Sequence, residues 1–375
     1  MEWSELPFTE KQEIRSAGEA ARVKAHTPSQ TFFTGGTTGD ALAYEVSDAE
    51  QNYLKQFFGK RNANCSISRV ARLWDGGQIF GRDIPTPSRF HNVSMLTPGG
   101  LTWLNSELNR CFDEAGLPDR ISILAGGERA LRAFALWLKA NHPGAADGWA
   151  LNAAIVFGTI LTARGRVDLE TIFSAPIIDR WGLSEAVGGA TECSCGWYHP
   201  DPFLHVEAVD PFDRSLVEEG VAELVVTPLF PFQQRQPLVR YLTGDLALVT
   251  RNSTCRPREP ALRPLGRLSQ SARLAHRRLI PEKVIIEAVE SEEAVVRRPV
   301  WLDVETIDQS WPIGRPDVSV TMNSDRPTLM IGVREGTPPA AQDDIKYRVN
   351  ERLKLACGEC CANLWVEMVI SPCGS

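Results

Sequence analysis

Three groups of residues in this chain have types and spacings that could do chemistry. The first is Thr34-Gly35-Gly36-Thr37-Thr38-Gly39, directly after the strand-like Gln30-Thr-Phe-Phe33. Glycines let successive backbone N–H groups turn inward on an anion, and threonine hydroxyls add donors for phosphate oxygens. The lysine of a Walker-type loop is absent, which excludes a P-loop NTPase and leaves an ordinary Gly-Thr turn as the alternative. The second group is Cys193, Cys195, His199, His205 and Cys255. Thiolate and imidazole at short spacing suit tetrahedral zinc, and a set of buried, idle thiols is the competing reading. The third comprises the carboxylates of Glu185 and Asp245, each with a hydroxyl one or two residues away, Ser184 and Thr243. Without further context Glu185 could cap a helix and Asp245 could sit in a plain Thr-Gly-Asp turn.

Elements that would hold these groups can be read from pattern. Strand-like and helix-like stretches alternate, which predicts an α/β architecture. Ser47-Asp-Ala-Glu50 is a capping box that opens a helix ending near Gly59. A second helix is expected over Leu104–Ala115, stopped by Gly116-Leu-Pro118. Ile121–Ala125 reads as a buried strand. Gly126-Gly127-Glu128 follows it and opens a helix with Leu131, Phe134, Ala135 and Leu138 on one face. Further strands are expected at Asn152–Leu161, Leu204–Val209, Ala222–Thr227 and Ala247–Thr250.

Between Arg251 and Arg278 stand eight arginines against one acidic residue, Glu259, which reads as a linker or solvated hinge. Coenzyme A phosphates or another anion are the other use for such charge. Beyond it, Pro281 starts a helix with Val284, Ile285 and Val289. Strands follow at Val318–Met322 and Thr328–Val333, and a last helix at Asp343–Leu355. This βαβ-like tail suggests a second, smaller domain: residues 1–265, then 266–375.

Composition narrows the class. A chain of 375 residues can bury a sizeable core, and 43% apolar with 23% charged residues is ordinary for a globular protein. The net charge of −7 argues against nucleic acid and anionic membrane, and no aromatic interleaving accompanies the arginines. Met1–Glu10 has no basic flank or apolar core, and Trp149–Ala163 is too short to span a bilayer. Nine cysteines without a signal peptide then suggest reduced thiols in a cytoplasmic protein. Cys357-Gly-Glu-Cys360-Cys361 resembles half a zinc ribbon or a redox pair; only Cys373 could complete it, and unremarkable thiols are the preferred reading.

Four segments, in order, resemble the adenylate-forming superfamily. They are Gly126-Gly127-Glu128, Trp181-Gly182-Leu183-Ser184-Glu185, Tyr241-Leu-Thr-Gly-Asp245 and Gly266-Arg267, with the threonine-glycine loop ahead of them. Leu6-Pro-Phe-Thr9, Glu192-Cys193 with His199, Leu238-Val-Arg-Tyr241 and Arg277-Arg-Leu-Ile-Pro281 look like the phenylacetate–CoA ligase-like branch. At this length the chain is similar to the short adenylate-forming proteins of phenazine antibiotic biosynthesis.

That resemblance implies a large, multi-subdomain N-terminal adenylation domain and a small, truncated α+β C-terminal domain. It implies ATP-dependent activation of an aromatic carboxylic acid, a phenazine carboxylate included, to an acyl-AMP. Thr34, Gly35, Gly36, Thr37, Thr38 and Gly39 would cradle phosphates, and Ser184 would donate to the α-phosphate. Glu185 would ligate magnesium, a hard cation that prefers carboxylate oxygens. Asp245 would accept the ribose hydroxyls. Gly127, Glu128, Arg180, Trp181 and Gly182 would border the adenine, and Arg267 would lie at the hinge. Cys193, His199 and Cys255 match zinc positions of the branch.

Three departures qualify the likeness. The chain stops at Val369-Ile-Ser-Pro-Cys-Gly-Ser375, where the family's catalytic lysine segment is expected to begin. Less chain than usual precedes Thr34, and Gly266-Arg-Leu-Ser-Gln-Ser271 lacks the usual acidic residue. The alternative is therefore a nucleotide- and carboxylate-binding module that delivers its ligand to a partner enzyme. The acyl acceptor, whether coenzyme A, an amine or a reductase's hydride, is open, and a homodimer is one assembly left open.

Overall fold

The structure, a computed structural model, describes residues 5–25, 28–33, 42–62, 68–73, 89–93, 97–255, 260–297, 316–323, 326–357 and 364–371. The loop from Thr34 to Gly39 and Cys360, Cys361 and Cys373 lie outside them. In chain order the elements begin with α1 (Lys11–Ala17), β1 (Pro28–Phe33), β2 (Ala43–Ser47), α2 (Asp48–Asn62), β3 (Arg69–Leu73), β4 (Arg89–Val93) and α3 (Pro98–Asn109). Next come β5 (Ile123–Gly127), α4 (Glu128–Asn141), β6 (Ala153–Phe157), α5 (Ala163–Phe173), β7 (Ile177–Gly182), β8 (Gly189–Glu192) and β9 (Tyr198–Pro200). Then follow β10 (Leu204–Val209), β11 (Gly220–Pro228), β12 (Tyr241–Thr250), β13 (Ala261–Arg267), β14 (Ala272–Leu274), β15 (Arg278–Ile280) and α6 (Glu282–Val289). The last are β16 (Val318–Asn323), β17 (Arg326–Arg334), α7 (Pro339–Cys357) and β18 (Trp365–Ser371).

An 11-stranded sheet runs in the order β10-β11-β12-β13-β9-β8-β7-β6-β5-β3-β4. Its β4-β3-β5-β6-β7 half is parallel, because α4 and α5 supply the crossovers that parallel neighbours need. The other half, from β7 onward, is antiparallel. Leu131, Phe134, Ala135 and Leu138 of α4 are buried against the parallel strands together with Leu104 and Leu108 of α3 and Leu169 and Phe173 of α5. A second apolar cluster joins α6 and α7 to β17, through Ile285, Val289, Leu329, Ile331, Val349 and Leu353. There β17, α7 and β18 form a βαβ unit with parallel strands. Among the described residues no helix is long and apolar enough to cross a membrane.

Ser47 and Glu50 do cap α2: the Glu50 N–H donates to Ser47 Oγ at 3.4 Å and the carboxylate accepts from the Ser47 N–H. The helix passes Gly59 and ends at Asn62. The second expected helix is corrected at both ends, to Pro98–Asn109. Thr97 caps its start, with Oγ1 accepting from Gly100 N at 3.0 Å. Its end is set by a distant residue. The buried Arg69 side chain pairs with Glu114 at 2.9 Å, donates to the Pro118 carbonyl and covers the Phe112 ring, which pulls 110–118 into a loop.

The arginine-rich stretch is also corrected. Its middle is β13, paired with β12, so it is part of the large sheet rather than a linker throughout. Arg263 and Arg277 are exposed and find partners on the surface. Arg263 lies over the Trp197 ring and donates to the Gly196 carbonyl at 2.9 Å, while Arg277 pairs with Asp210 at 2.9 Å and Asp213 at 2.6 Å.

Candidate active site

The parallel strands end side by side. Gly127 of β5 pairs with Phe157 of β6, and Phe157 with Arg180 of β7, so three chain-distant strand ends meet at the carboxyl edge of the sheet. In open α/β sheets that edge is where ligands bind. From Gly182 the chain turns and returns antiparallel as β8, with Gly182 opposite Gly189. A Cβ on Gly189 would lie 2.0 Å from the Trp181 carbonyl oxygen, so only glycine permits this turn. The turn carries Ser184 and buried Glu185 at the strand ends.

Tyr241 to Asp245 open β12. Gly244 has φ +70°, and the pairing with β11 shifts register between Glu223 and Val225. This local bulge turns Asp245 toward β7. Thr243 braces it: Thr243 Oγ1 accepts from Asp245 N at 2.9 Å and donates to the Leu224 carbonyl at 2.8 Å.

The two motifs are joined by side chains. Trp181 Nε1 donates to Asp245 Oδ2 at 3.1 Å, and Tyr241 Oη donates to Glu185 Oε1 at 2.7 Å. Arg267, opposite Asp245 in the β12–β13 register, holds Asp245 Oδ1 from Nε at 2.9 Å and the Thr243 carbonyl at 2.9 Å. Burial pushes the Asp245 carboxyl up to about 6, against the pull of Arg267 and Trp181 in the other direction. A carboxylate offers roughly four acceptor sites, so two donors leave Asp245 with capacity for a ligand hydroxyl. Burial, and then Glu185, push the Tyr241 phenol well above its ordinary range, so it stays a donor.

Other expected residues have partners of their own. Glu128, in the first turn of α4, accepts from Arg132 Nε at 2.7 Å and from Thr159 at 3.4 Å. Arg180 holds Thr191 at 2.6 Å and Asp201 at 2.5 Å, and Asp201 also accepts from Gly189 N at 2.9 Å. Its guanidinium thus locks the β7–β8 turn. Three residues carry roles that the sequence did not single out. Tyr241 stands there only as one letter of a motif. Glu282, in the first turn of α6, accepts from Arg267 N through its carboxylate. Lys11, half-buried on α1, lies within electrostatic reach of Glu185 and Arg267; burial lowers its ammonium and Glu185 raises it, with burial the larger effect.

The cysteine–histidine group is brought together. Cys193 Sγ lies 3.6 Å from Cys255 Sγ, and His199 Nε2 lies 3.2 Å from the same sulfur; all three ligand atoms are within 4.8 Å of one another. Zinc bonds of about 2.3 Å to sulfur and 2.0 Å to nitrogen give tetrahedral edges of about 3.5–3.8 Å, so these residues fit zinc. Burial pushes the Cys193 thiol up, but the backbone N–H groups of Cys195 and Trp197 and the Cys255 and Cys195 thiols outweigh it and leave it lowered. Cys195 is exposed, and the neighbouring Cys193 and Cys255 help hold its thiol above its ordinary value, after burial. His205, the second residue of β10, is exposed and outside the group.

No family model and no curated protein matches this sequence. Solved structures do match its fold. One is 2-hydroxyisobutyryl-CoA ligase in the postadenylation state with 2-HIB-AMP, at TM-score 0.65 and 15% identity, covering 97% of this chain and 76% of that one. Another is ATP-bound MatB from Rhodopseudomonas palustris, at TM-score 0.61 and 12% identity, over 92% and 65%. A third is the anthranilate CoA ligase AuaEII with anthranoyl-AMP, at TM-score 0.57 and 14% identity, over 91% and 63%. The chain has the mixed α/β fold of adenylate-forming acyl-CoA ligases.

Proposed function

We propose that this chain activates a small aromatic carboxylic acid, a phenazine carboxylate among the candidates, by forming its acyl-AMP from ATP. The observation that carries the reading is the wall in which Trp181, Asp245 and Arg267 adjoin Tyr241 and Glu185 at the carboxyl edge of the parallel strands. In the reaction a carboxylate oxygen bonds to the α-phosphorus and the bond to the β-phosphate oxygen breaks, releasing pyrophosphate. Positioning and charge neutralisation dominate such a barrier.

In this reading Asp245 accepts ribose hydroxyls, Trp181 and the Gly127–Glu128 turn border the adenine, and Ser184 donates to the α-phosphate. Thr34, Thr37 and Thr38 would hold the outer phosphates. Glu185 is the carboxylate that would hold magnesium, which would supply neutralising charge. Zinc on Cys193, His199 and Cys255 would have a structural role, pinning the β8–β9 turn to the connection that follows β12. The domain boundary falls near Gly266. Support comes from the folds that match: their ligands include 2-HIB-AMP, ATP, coenzyme A and anthranoyl-AMP. Coenzyme A, an amine or a reductase's hydride would be the acceptor that follows.

The test is ATP–pyrophosphate exchange on the purified chain with a panel of aryl acids, beside Glu185→Gln. Exchange that needs one acid and disappears in the variant establishes adenylation. No exchange with any acid, while ATP still binds, sinks it and leaves a binding module that hands its ligand to a partner enzyme.

A further inference from the structure

The Cys193–His199–Cys255 group also has a chemistry that needs no metal. Cys193 stands directly after β8 and Cys255 lies beyond the end of β12, so β9, β10, β11 and β12 all run between them. Folding nevertheless brings the two sulfurs to 3.6 Å. A disulfide bond is about 2.05 Å long, which leaves a gap of about 1.5 Å that side-chain rotation can cover.

The Cys193 side of the pair is anchored. Cys193 N donates to the Trp197 carbonyl at 2.8 Å and the Cys193 carbonyl accepts from Gly196 N at 2.9 Å, which closes the β8–β9 turn. Glu192, one residue earlier, accepts from Arg166 at 2.6 Å and from Asp179 N at 3.0 Å. Cys255 approaches this turn from beyond the last β12–β13 pair, Thr250 with Ala261. Both thiols are half-buried, so a small oxidant can meet them, and Cys195 is exposed in the same turn.

We propose that Cys193 and Cys255 are a redox-active pair, closed to a disulfide by a hydroperoxide and reopened by a thiol. Cys255 Sγ attacks a peroxide oxygen, the O–O bond breaks, and a sulfenic acid forms as the other oxygen leaves. His199 Nε2, 3.2 Å from Cys255 Sγ, is placed to hold the thiol proton and pass it to that leaving oxygen. Cys193 Sγ then attacks the Cys255 sulfur; the S–S bond forms, the S–O bond breaks, and the oxygen leaves as water with the Cys193 proton. The thiols lose two electrons and the peroxide gains them. The link joins the β8–β9 turn to the connection after β12, the same two places that zinc would join, and it consumes two of the three ligands zinc would use. The inference goes beyond the adenylate-forming reading and does not depend on it.

The experiment treats the full chain with hydrogen peroxide, blocks the remaining thiols with an alkylating agent and maps cross-linked peptides by mass. It compares the wild type with Cys193→Ser, Cys255→Ser and Cys195→Ser. The chain holds nine cysteines, so the link is read by peptide rather than by thiol count. The peptide pair joining Cys193 to Cys255 should dominate in the wild type and in Cys195→Ser, be absent from the other two variants, and be lost on reduction with dithiothreitol. The same oxidation in urea scrambles the pairs and sets the unselective background. Any zinc the chain carries must leave as the link forms, read with a chromogenic chelator. The proposal is overturned by a native pattern no more selective than the one in urea, by Cys255 carried to sulfinic acid or joined to Cys195 instead, or by a link formed with zinc retained. None of these readouts involves a nucleotide, so they stand or fall apart from pyrophosphate exchange.

Discussion

Tyr241→Phe isolates the contact that joins the two motifs. Tyr241 and Glu185 are 1% and 8% exposed, and the phenol donates to the carboxylate at 2.7 Å. Phenylalanine keeps the ring and its packing but leaves the Glu185 oxygen without this donor. A hydrogen bond to a charged group in a buried setting contributes about 1.5–3 kcal/mol, so the variant should lose roughly that much stability. The assay is a double-mutant cycle with Glu185→Ala, read by urea unfolding. Each single variant strands one partner, and the double variant strands neither, so its loss should fall short of the sum by about 1–3 kcal/mol. The phenol is held well above its ordinary range, so the coupling should not change between about pH 7 and about pH 9. Losses that add to within about 0.5 kcal/mol would refute the contact.

Three other variants probe the surroundings. Burial pushes the Asp179 carboxyl up to about 6 from 3.8, with Tyr198 Oη donating to it at 2.6 Å. The folded state therefore binds this proton more tightly, and the stability it contributes is present below about pH 4 and lost as pH rises through about 6. Relative to Asp179→Asn, the wild type should lose about 3 kcal/mol between those limits, and an unchanged difference counts against it. Cys255→Ser should remove zinc that metal analysis finds at about one per wild-type chain, and should lower the melting midpoint; a metal-free wild type counts against the site. Gly266 has φ +97°, and a Cβ there would lie 2.5 Å from Glu282 Oε2 and 2.6 Å from Ile160 Cδ1. Gly266→Ala should cost at least about 2 kcal/mol in the same unfolding assay, and a neutral result would show that the turn relaxes freely.

Local signals were legible where neighbours in sequence are neighbours in space. The Ser47–Glu50 capping box, the buried face of α4 and β10 at Leu204–Val209 all follow from spacings of three, four or two residues. The end of α3 was not legible, because Arg69 draws Glu114 and Pro118 out of the helix from 45 and 49 residues away. The arginines of β13 looked like a linker because an antiparallel strand with one solvated side reads as broken polarity. At the site, motif order found Trp181, Glu185 and Asp245 separately. Their pairing spans 56 and 64 residues and depends on the β11–β12 bulge, which leaves no mark in the sequence beyond Gly244.

Glu282 shows how a missing signal can be a displaced one. No acid stands between Gly266 and Ser271, but Glu282, 15 residues after Arg267 in the first turn of α6, holds the Arg267 backbone N–H. Ser271 Oγ accepts from Glu282 N at 3.0 Å, which closes the same turn from the other side. Arg267 is thus fixed through its backbone to α6 and through its side chain to Asp245 and Thr243 of β12. A rotation of the chain at Gly266 would have to break one of these two sets of bonds or carry Asp245 along. Because Asp245 is buried, releasing Arg267 would leave a carboxylate with one donor fewer in a poorly solvated place, which costs more than losing an exposed pair. The position after Gly266 and the Asp245 side of the wall are therefore energetically coupled through one guanidinium, and a ligand hydroxyl bound to Asp245 would offset part of that cost.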